Sequence, residues 1–130
     1  WEKDPIAMLQ SKLLINSIIN PLTAVLEVPN GELLANPHYA SVFNSYFKEM
    51  EKVLEVKDVH AARENLEGVC RATGDNRSSM LCDLEAGRQT EIDAILGYCL
   101  LLAKQKGIDA PISEILYRMV KGKENRGMVN

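Results

Sequence analysis

The sequence predicts an all-α domain of about six helices, with a long kinked helix at its start. Apolar residues recur at i, i+3, i+4 and i+7 along most of the chain. No stretch shows the apolar–polar alternation between hairpin turns that marks a strand. The 130 residues suit one domain, and 46% apolar with 25% charged residues is a globular mix, not a disordered one.

The first helix is expected to begin with Asp4 as N-cap and Pro5 at the first helical position. Ile6, Leu9, Leu13, Ile15, Ile18, Ile19, Leu22, Val25 and Leu26 give it a wide apolar surface. Asn20-Pro21 interrupts it. Proline has no N–H and its ring crowds the carbonyl four residues back, that of Ser17. A kink or break is expected there, leaving carbonyls in need of partners. Val28-Pro29-Asn30-Gly31 reads first of all as a turn.

Asn36 and Pro37 start the next helix, whose stripe runs from Tyr39 through Val42, Phe43, Tyr46, Phe47 and Met50 to Leu54. Val59, Ala62, Leu66 and Val69 mark a shorter one. Ser78 or Ser79 can cap a short helix beginning near Met80. Thr90, with Asp93 three residues on, resembles a capping box for a helix carrying Ile92, Ile95, Leu96, Cys99 and Ala103 and stopping at Gly107. After Pro111 the spacing resumes at Ile112, Ile115, Leu116, Met119 and Val120. Residues 1–123 are read as the domain and 124–130 as a polar tail, with fraying expected from Gly122 onward. The chain opens at Trp1 without methionine, which suggests a cut from a longer polypeptide, and no signal peptide is expected.

Composition narrows the function classes. Fifteen Lys and Arg against 18 Asp and Glu give a net charge of −3 at pH 7, without a basic cluster, which argues against nucleic acid as a partner. The longest nearly apolar run, Ala94 to Ala103, is about half the length needed to cross a bilayer. Cys70, Cys82 and Cys99 are odd in number and lack C-x-x-C spacing, so free thiols in the cytoplasm are expected. His38 and His60 stand in no cluster of metal ligands, and no metal site is expected. No G-x-G-x-x-G is present, so the chain has no dinucleotide-phosphate loop of its own.

Three features can carry chemistry. Lys12, Asn16 and Asn20 fall on one stripe of the first helix, because each step of four residues turns by only about 40°. One cation and two amides in line suit an oxygen-rich anion; the same stripe also suits water. Asn30 is a second candidate beside its role in the turn. Glu91 either complements a helix dipole or orients a substrate hydroxyl or cofactor group. The helix starts around Ser79 and Glu91 can also help to hold an anion.

The segments KLLINSIINPLTAVLEVPNGELL and SSMLCDLEAGRQTEIDAILGY resemble the C-terminal helical domain of the ketopantoate reductases (2-dehydropantoate 2-reductases), from Trp1 to about Lys123. That domain is similar to the C-terminal domain of 6-phosphogluconate dehydrogenase. The resemblance implies an oxidoreductase of pantothenate biosynthesis, with an N-terminal Rossmann domain that binds NADPH and is absent from this chain. Lys12, opening the K-x-x-x-N-x-x-x-N motif, matches the catalytic general acid, which protonates the C2 carbonyl oxygen as hydride arrives from nicotinamide. Asn16, Asn20 and Asn30 match substrate-contacting asparagines, and Ser79 the serine that binds the substrate carboxylate. Glu91 matches the acid near both substrate and nucleotide, and counts here as cofactor-binding. Cys82 and Leu96 depart from the family pattern, where glutamine and asparagine are common, and are expected to bear on the pocket wall. The implied partners are a small 2-oxo acid, the chain's own Rossmann domain and, through the face that domain would cover, a second copy in a homodimer. Neither nucleic acid nor membrane is implied. Alternatives are a related reductase of another 2-oxo or 3-hydroxy acid and a non-catalytic helical dimerisation module; the latter has no need of Lys12, Asn16, Asn20, Ser79 and Glu91 together.

Overall fold

The computed structural model describes residues 4–129. Among them the elements are α1 (Pro5–Leu26), α2 (Glu32–Ala35), α3 (Pro37–Val53), α4 (Val59–Ala72), α5 (Ser79–Glu85), a π-helical turn (Asp93–Gly97) running directly into α6 (Tyr98–Lys106), and α7 (Pro111–Val129). There is no strand among the described residues. None of their helices is long and apolar enough to cross a membrane.

The helix starts follow from local chemistry. The Asp4 carboxylate accepts the Ile6 N–H, and the Asn36 side chain accepts those of His38 and Tyr39. Each is an amide that the helix itself leaves unpaired. Ser78, not Ser79, caps α5 by accepting the Leu81 N–H. Gly107 ends α6 in the left-handed region at φ 68°. Gly31 and Gly74 sit where two loops touch: a Cβ on Gly31 would lie 2.9 Å from the Gly74 Cα. The Gly31 N–H donates to the Gly74 carbonyl at that crossing.

α1 runs through the middle of the bundle, against α5, α7 and α3. Ile18, Ile19 and Leu22 meet Phe43, Phe47 and Leu96 in one core. Pro21 does not end the helix, which remains continuous from Pro5 to Leu26. Packing on all sides holds it, and the orphaned acceptor finds a partner: the buried Tyr46 hydroxyl donates to the Ser17 carbonyl at 2.7 Å. Burial pushes the Tyr46 hydroxyl well above its ordinary pKa, so it stays a donor.

Among the described residues seven α-helices form the expected all-α domain of about six, the residues after Pro29-Asn30-Gly31 closing into the short α2. Two expectations need correction. The apolar surface of α1 is covered only from Leu13 onward: residues 4–10 are all exposed, with Ile6 at 69% and Leu9 at 67%. Ile115 and Met119 on α7 are likewise exposed, while Leu116 and Val120 are buried. Finally, Gly122 does not begin a frayed tail, since α7 continues to Val129; Asn130 lies outside the described residues. The extension is held because Glu124 is buried and Lys123 pairs with Glu27 on the loop after α1. The other end of α7 is fixed by Glu49 of α3, which accepts the Ile112 and Ser113 N–H groups and the Ser113 hydroxyl.

Candidate functional site

A pocket of about 240 Å³ opens where α1, α5 and the π-helical turn meet. Its lining is Asn16 and Asn20 from α1, Ser79, Met80 and Asp83 from α5, Glu91 just before the turn, and Ile95 within it. Asn16 and Asn20 are half-buried, one turn apart. Because Ser78 takes the capping role, Ser79 points away from the cap and is exposed at the rim. The Ser78 hydroxyl also accepts from Thr23, whose hydroxyl contacts the Ile19 carbonyl, so α5 is pinned to α1 beside the asparagines. Met80 and Ile95 are buried and close the apolar floor.

Glu91 is exposed, and among the described residues no hydrogen bond or ion pair occupies its carboxylate. Its neighbours are tightly held. The Thr90 N–H and hydroxyl both donate to Glu124 Oε2, at 2.8 and 2.6 Å. The Thr90 hydroxyl accepts the Ile92 N–H. Asp93 accepts from the Tyr117 hydroxyl and pairs with Lys121, and both hold its carboxyl below the ordinary range. The expected Thr90–Asp93 capping box is therefore not made. Thr90 does cap, but the acid that should return to its N–H comes from Glu124 on α7, while Asp93 turns outward. Before this segment, Asp83 closes the loop after α5: its carbonyl accepts the Arg88 N–H and its carboxylate pairs with the Arg88 guanidinium.

Two of the sequence candidates stand apart from the pocket. Lys12 is exposed, one turn before Asn16 on the same stripe, and does not line it. Four residues of helix separate the two by about 6 Å along the axis. Asn30 is buried under the loop crossing, where its amide nitrogen donates to Thr73; its Oδ1 has no partner. The departures at Cys82 and Leu96 are also absent from the lining: Cys82 is exposed on α5, and Leu96 is a core residue. Burial pushes the Cys70 thiol up to about 11 and that of Cys99 to about 12, which leaves both unreactive. Sequence reasoning missed Met80, Asp83 and Ile95. Asp83 was within reach, since it follows Ser79 by one turn of the same helix. Glu124 had no such signal.

The lining carries two carboxylates and no cation, so an anionic ligand seated there needs positive charge from beyond the walls. The only cation on α1 is Lys12.

An all-α domain with a polar pocket between its long first helix and a π-helical turn is the class that fold and site define. The family model for the ketopantoate reductase PanE/ApbA C terminal matches residues 6–124, and the chain belongs to that family. It is 45% identical over 124 residues to a 2-dehydropantoate 2-reductase of Bacillus subtilis, covering 95% of this chain and 42% of that one. A Listeria monocytogenes 2-dehydropantoate 2-reductase is 40% identical over 122 residues, covering 94% and 39%. The chain thus spans about two-fifths of the length of these relatives. Among solved structures, a probable 2-dehydropantoate 2-reductase from Bacillus subtilis superposes with a TM-score of 0.91 at 45% identity, covering 94% of this chain and 42% of that one. A D-mandelate dehydrogenase solved with NADH and anilino(oxo)acetate gives 0.87 at 25% identity, covering 97% and 55%.

Proposed function

We propose that this chain is the substrate-binding and catalytic C-terminal domain of a cytoplasmic, NADPH-dependent 2-dehydropantoate 2-reductase, which reduces ketopantoate to pantoate in pantothenate biosynthesis. The observation that carries the reading is the meeting of Asn16, Asn20, Ser79 and Glu91, from α1, α5 and the segment before the π-helical turn, at one pocket. Core packing brings these three segments together, and it leaves polar side chains from each of them on the walls of the one pocket.

The chemistry follows from their types. Ser79 donates its hydroxyl to the substrate carboxylate. Asn16 and Asn20 each offer a donor and an acceptor to the keto and hydroxyl oxygens. Reducing a ketone builds negative charge on oxygen, and the Lys12 ammonium stabilises that charge and then gives up its proton to the alkoxide. Met80 and Ile95 exclude water from the floor. The residues present fit the edge of a nicotinamide cofactor and not its phosphates: Glu91 has a free carboxylate for a hydroxyl, while no glycine-rich loop is in the chain. When bound, the reduced cofactor supplies hydride to the carbonyl carbon. The Rossmann domain that would hold it completes the cleft, whereas Asn30, buried under the loop crossing, stays outside the pocket walls.

A second reading, a reductase of a different 2-oxo acid, is favoured by the fold shared with a D-mandelate dehydrogenase. A panel of 2-oxo acids assayed by NADPH consumption in the full-length protein separates the two. Ketopantoate should give the highest kcat/KM, and this chain alone should give no turnover. A full-length protein that ignores ketopantoate but turns over another 2-oxo acid establishes the second reading instead.

A further inference from the structure

We propose that Glu124, at the far end of α7, is a positioning residue for Glu91. The inference rests on the reading above that Glu91 faces substrate or nucleotide. Since the Glu91 carboxylate has no partner of its own among the described residues, the one restraint on where its side chain starts is its backbone. That backbone is gripped on both sides from one stripe of α7: Glu124 holds Thr90, and Tyr117 and Lys121 hold Asp93.

Glu124 is the keystone of the stripe. It is 7% exposed, and its two oxygens are shared between Thr90 and Lys121. A buried carboxylate costs stability unless it is fully bonded, and an apolar side chain of similar size often does as well for the fold. What an apolar side chain cannot do is fix one peptide N–H in space. Glu124 fixes that of Thr90, and through the Thr90 hydroxyl it fixes the Ile92 N–H as well. Glu91 lies between these two pinned amides. The turn that follows is π-helical, a rare form often found at functional sites, and it persists only where its surroundings hold it. The acid that completes the Thr90 cap thus arrives from 34 residues away and couples α7 to the pocket rim.

The test uses the full-length protein with NADPH and ketopantoate, measuring kcat, KM for each reactant and melting temperature. Glu91→Gln sets the reference pattern of loss between kcat and the two KM values. Glu124→Leu should reproduce that pattern with a fall of about tenfold or more in kcat/KM, the scale expected of a small misplacement. Glu124→Gln keeps an acceptor for Thr90 and should recover most of it. Thr90→Val, which removes only the hydroxyl, should show the same pattern and decides the matter if Glu124→Leu does not fold. Combined with Glu91→Gln, Glu124→Leu or Thr90→Val should add no further loss, because the group it aims is already gone. Lower melting temperatures with unchanged kinetics, or losses that multiply in the double variants, overturn the proposal while leaving Glu91 in its role. If Glu91→Gln alone changes nothing, the reading of Glu91 falls and takes the proposal with it.

Discussion

The two ends of the candidate site are built in opposite ways. Glu91 stands on a segment clamped by a buried carboxylate, a tyrosine and a lysine of α7. Lys12 stands on a stretch of α1 whose preceding residues, 4–10, touch little and are all exposed. The contrast teaches where each end gets its precision. The Glu91 end is organised within this chain. The Lys12 end has no such clamp among the described residues, and in the proposed function the Rossmann domain covers it. A cleft assembled from one rigid wall and one that is completed by a partner domain is a common place for small-molecule chemistry.

The largest effect belongs to the open end. In the full-length protein Lys12→Ala should lower kcat for ketopantoate by about 10²–10⁴-fold, the usual worth of a positioned acid. Its melting temperature should hardly move, since an exposed side chain without partners contributes within about 0.5 kcal/mol to stability. Normal turnover in steady-state assays would remove Lys12 from the proton transfer and reverse the comparison.

Next comes the frame that carries both ends. Tyr46→Phe deletes the donor to the Ser17 carbonyl that Pro21 leaves open. A buried acceptor without a partner costs about 1–3 kcal/mol, to be read from urea denaturation of the two proteins. An unchanged midpoint would mean that water reaches that carbonyl.

How far these features were legible depends on how local they are. The caps at Asp4 and Asn36, the stop at Gly107 and the acceptor orphaned by Pro21 follow from residues within a turn of each other, and the sequence sufficed. The stripe of Asn16 and Asn20, and the candidates Ser79 and Glu91, were likewise readable from spacing and motif. The partner of Ser17 lay 29 residues away on α3, and that of Thr90 lay 34 residues away on α7. No periodicity encodes such pairs. Glu124 was misread as part of a polar tail because a lone acid after glycine looks solvated until its burial is known. Asn30 reads as a turn residue and as a substrate contact; its buried amide serves the loop crossing, and its remaining oxygen is buried there too, away from the pocket walls.

A smaller effect probes the clamp through pH. Burial raises the Glu124 carboxyl, but the bonds from Thr90 and Lys121 outweigh it and leave the net value below the ordinary 4.5. A carboxyl held lower in the folded than in the unfolded state stabilises the fold above its unfolded pKa. That contribution is lost as pH falls through the lower, folded value. Glu124→Gln should therefore flatten the acid-side loss of stability that sets in as pH falls below the ordinary 4.5. Denaturation curves that keep their full acid slope in the variant would place that proton uptake elsewhere.

The smallest effect returns to the open end. Leu9→Ser in this chain should change its stability by no more than about 0.5 kcal/mol, because Leu9 is exposed here. The same change in the full-length protein should cost more if the start of α1 is covered there, and equal effects in both proteins would leave that surface uncovered.

The most direct measurement is a crystal structure of the full-length protein with ketopantoate and a non-reactive NADPH analogue. The account predicts the keto oxygen within hydrogen-bond reach of Lys12 Nζ, the acid seated between Asn16, Asn20 and Ser79, and Glu91 at the cofactor's edge. A ketopantoate bound away from that pocket, or a Lys12 ammonium still turned to solvent in the complex, would contradict it.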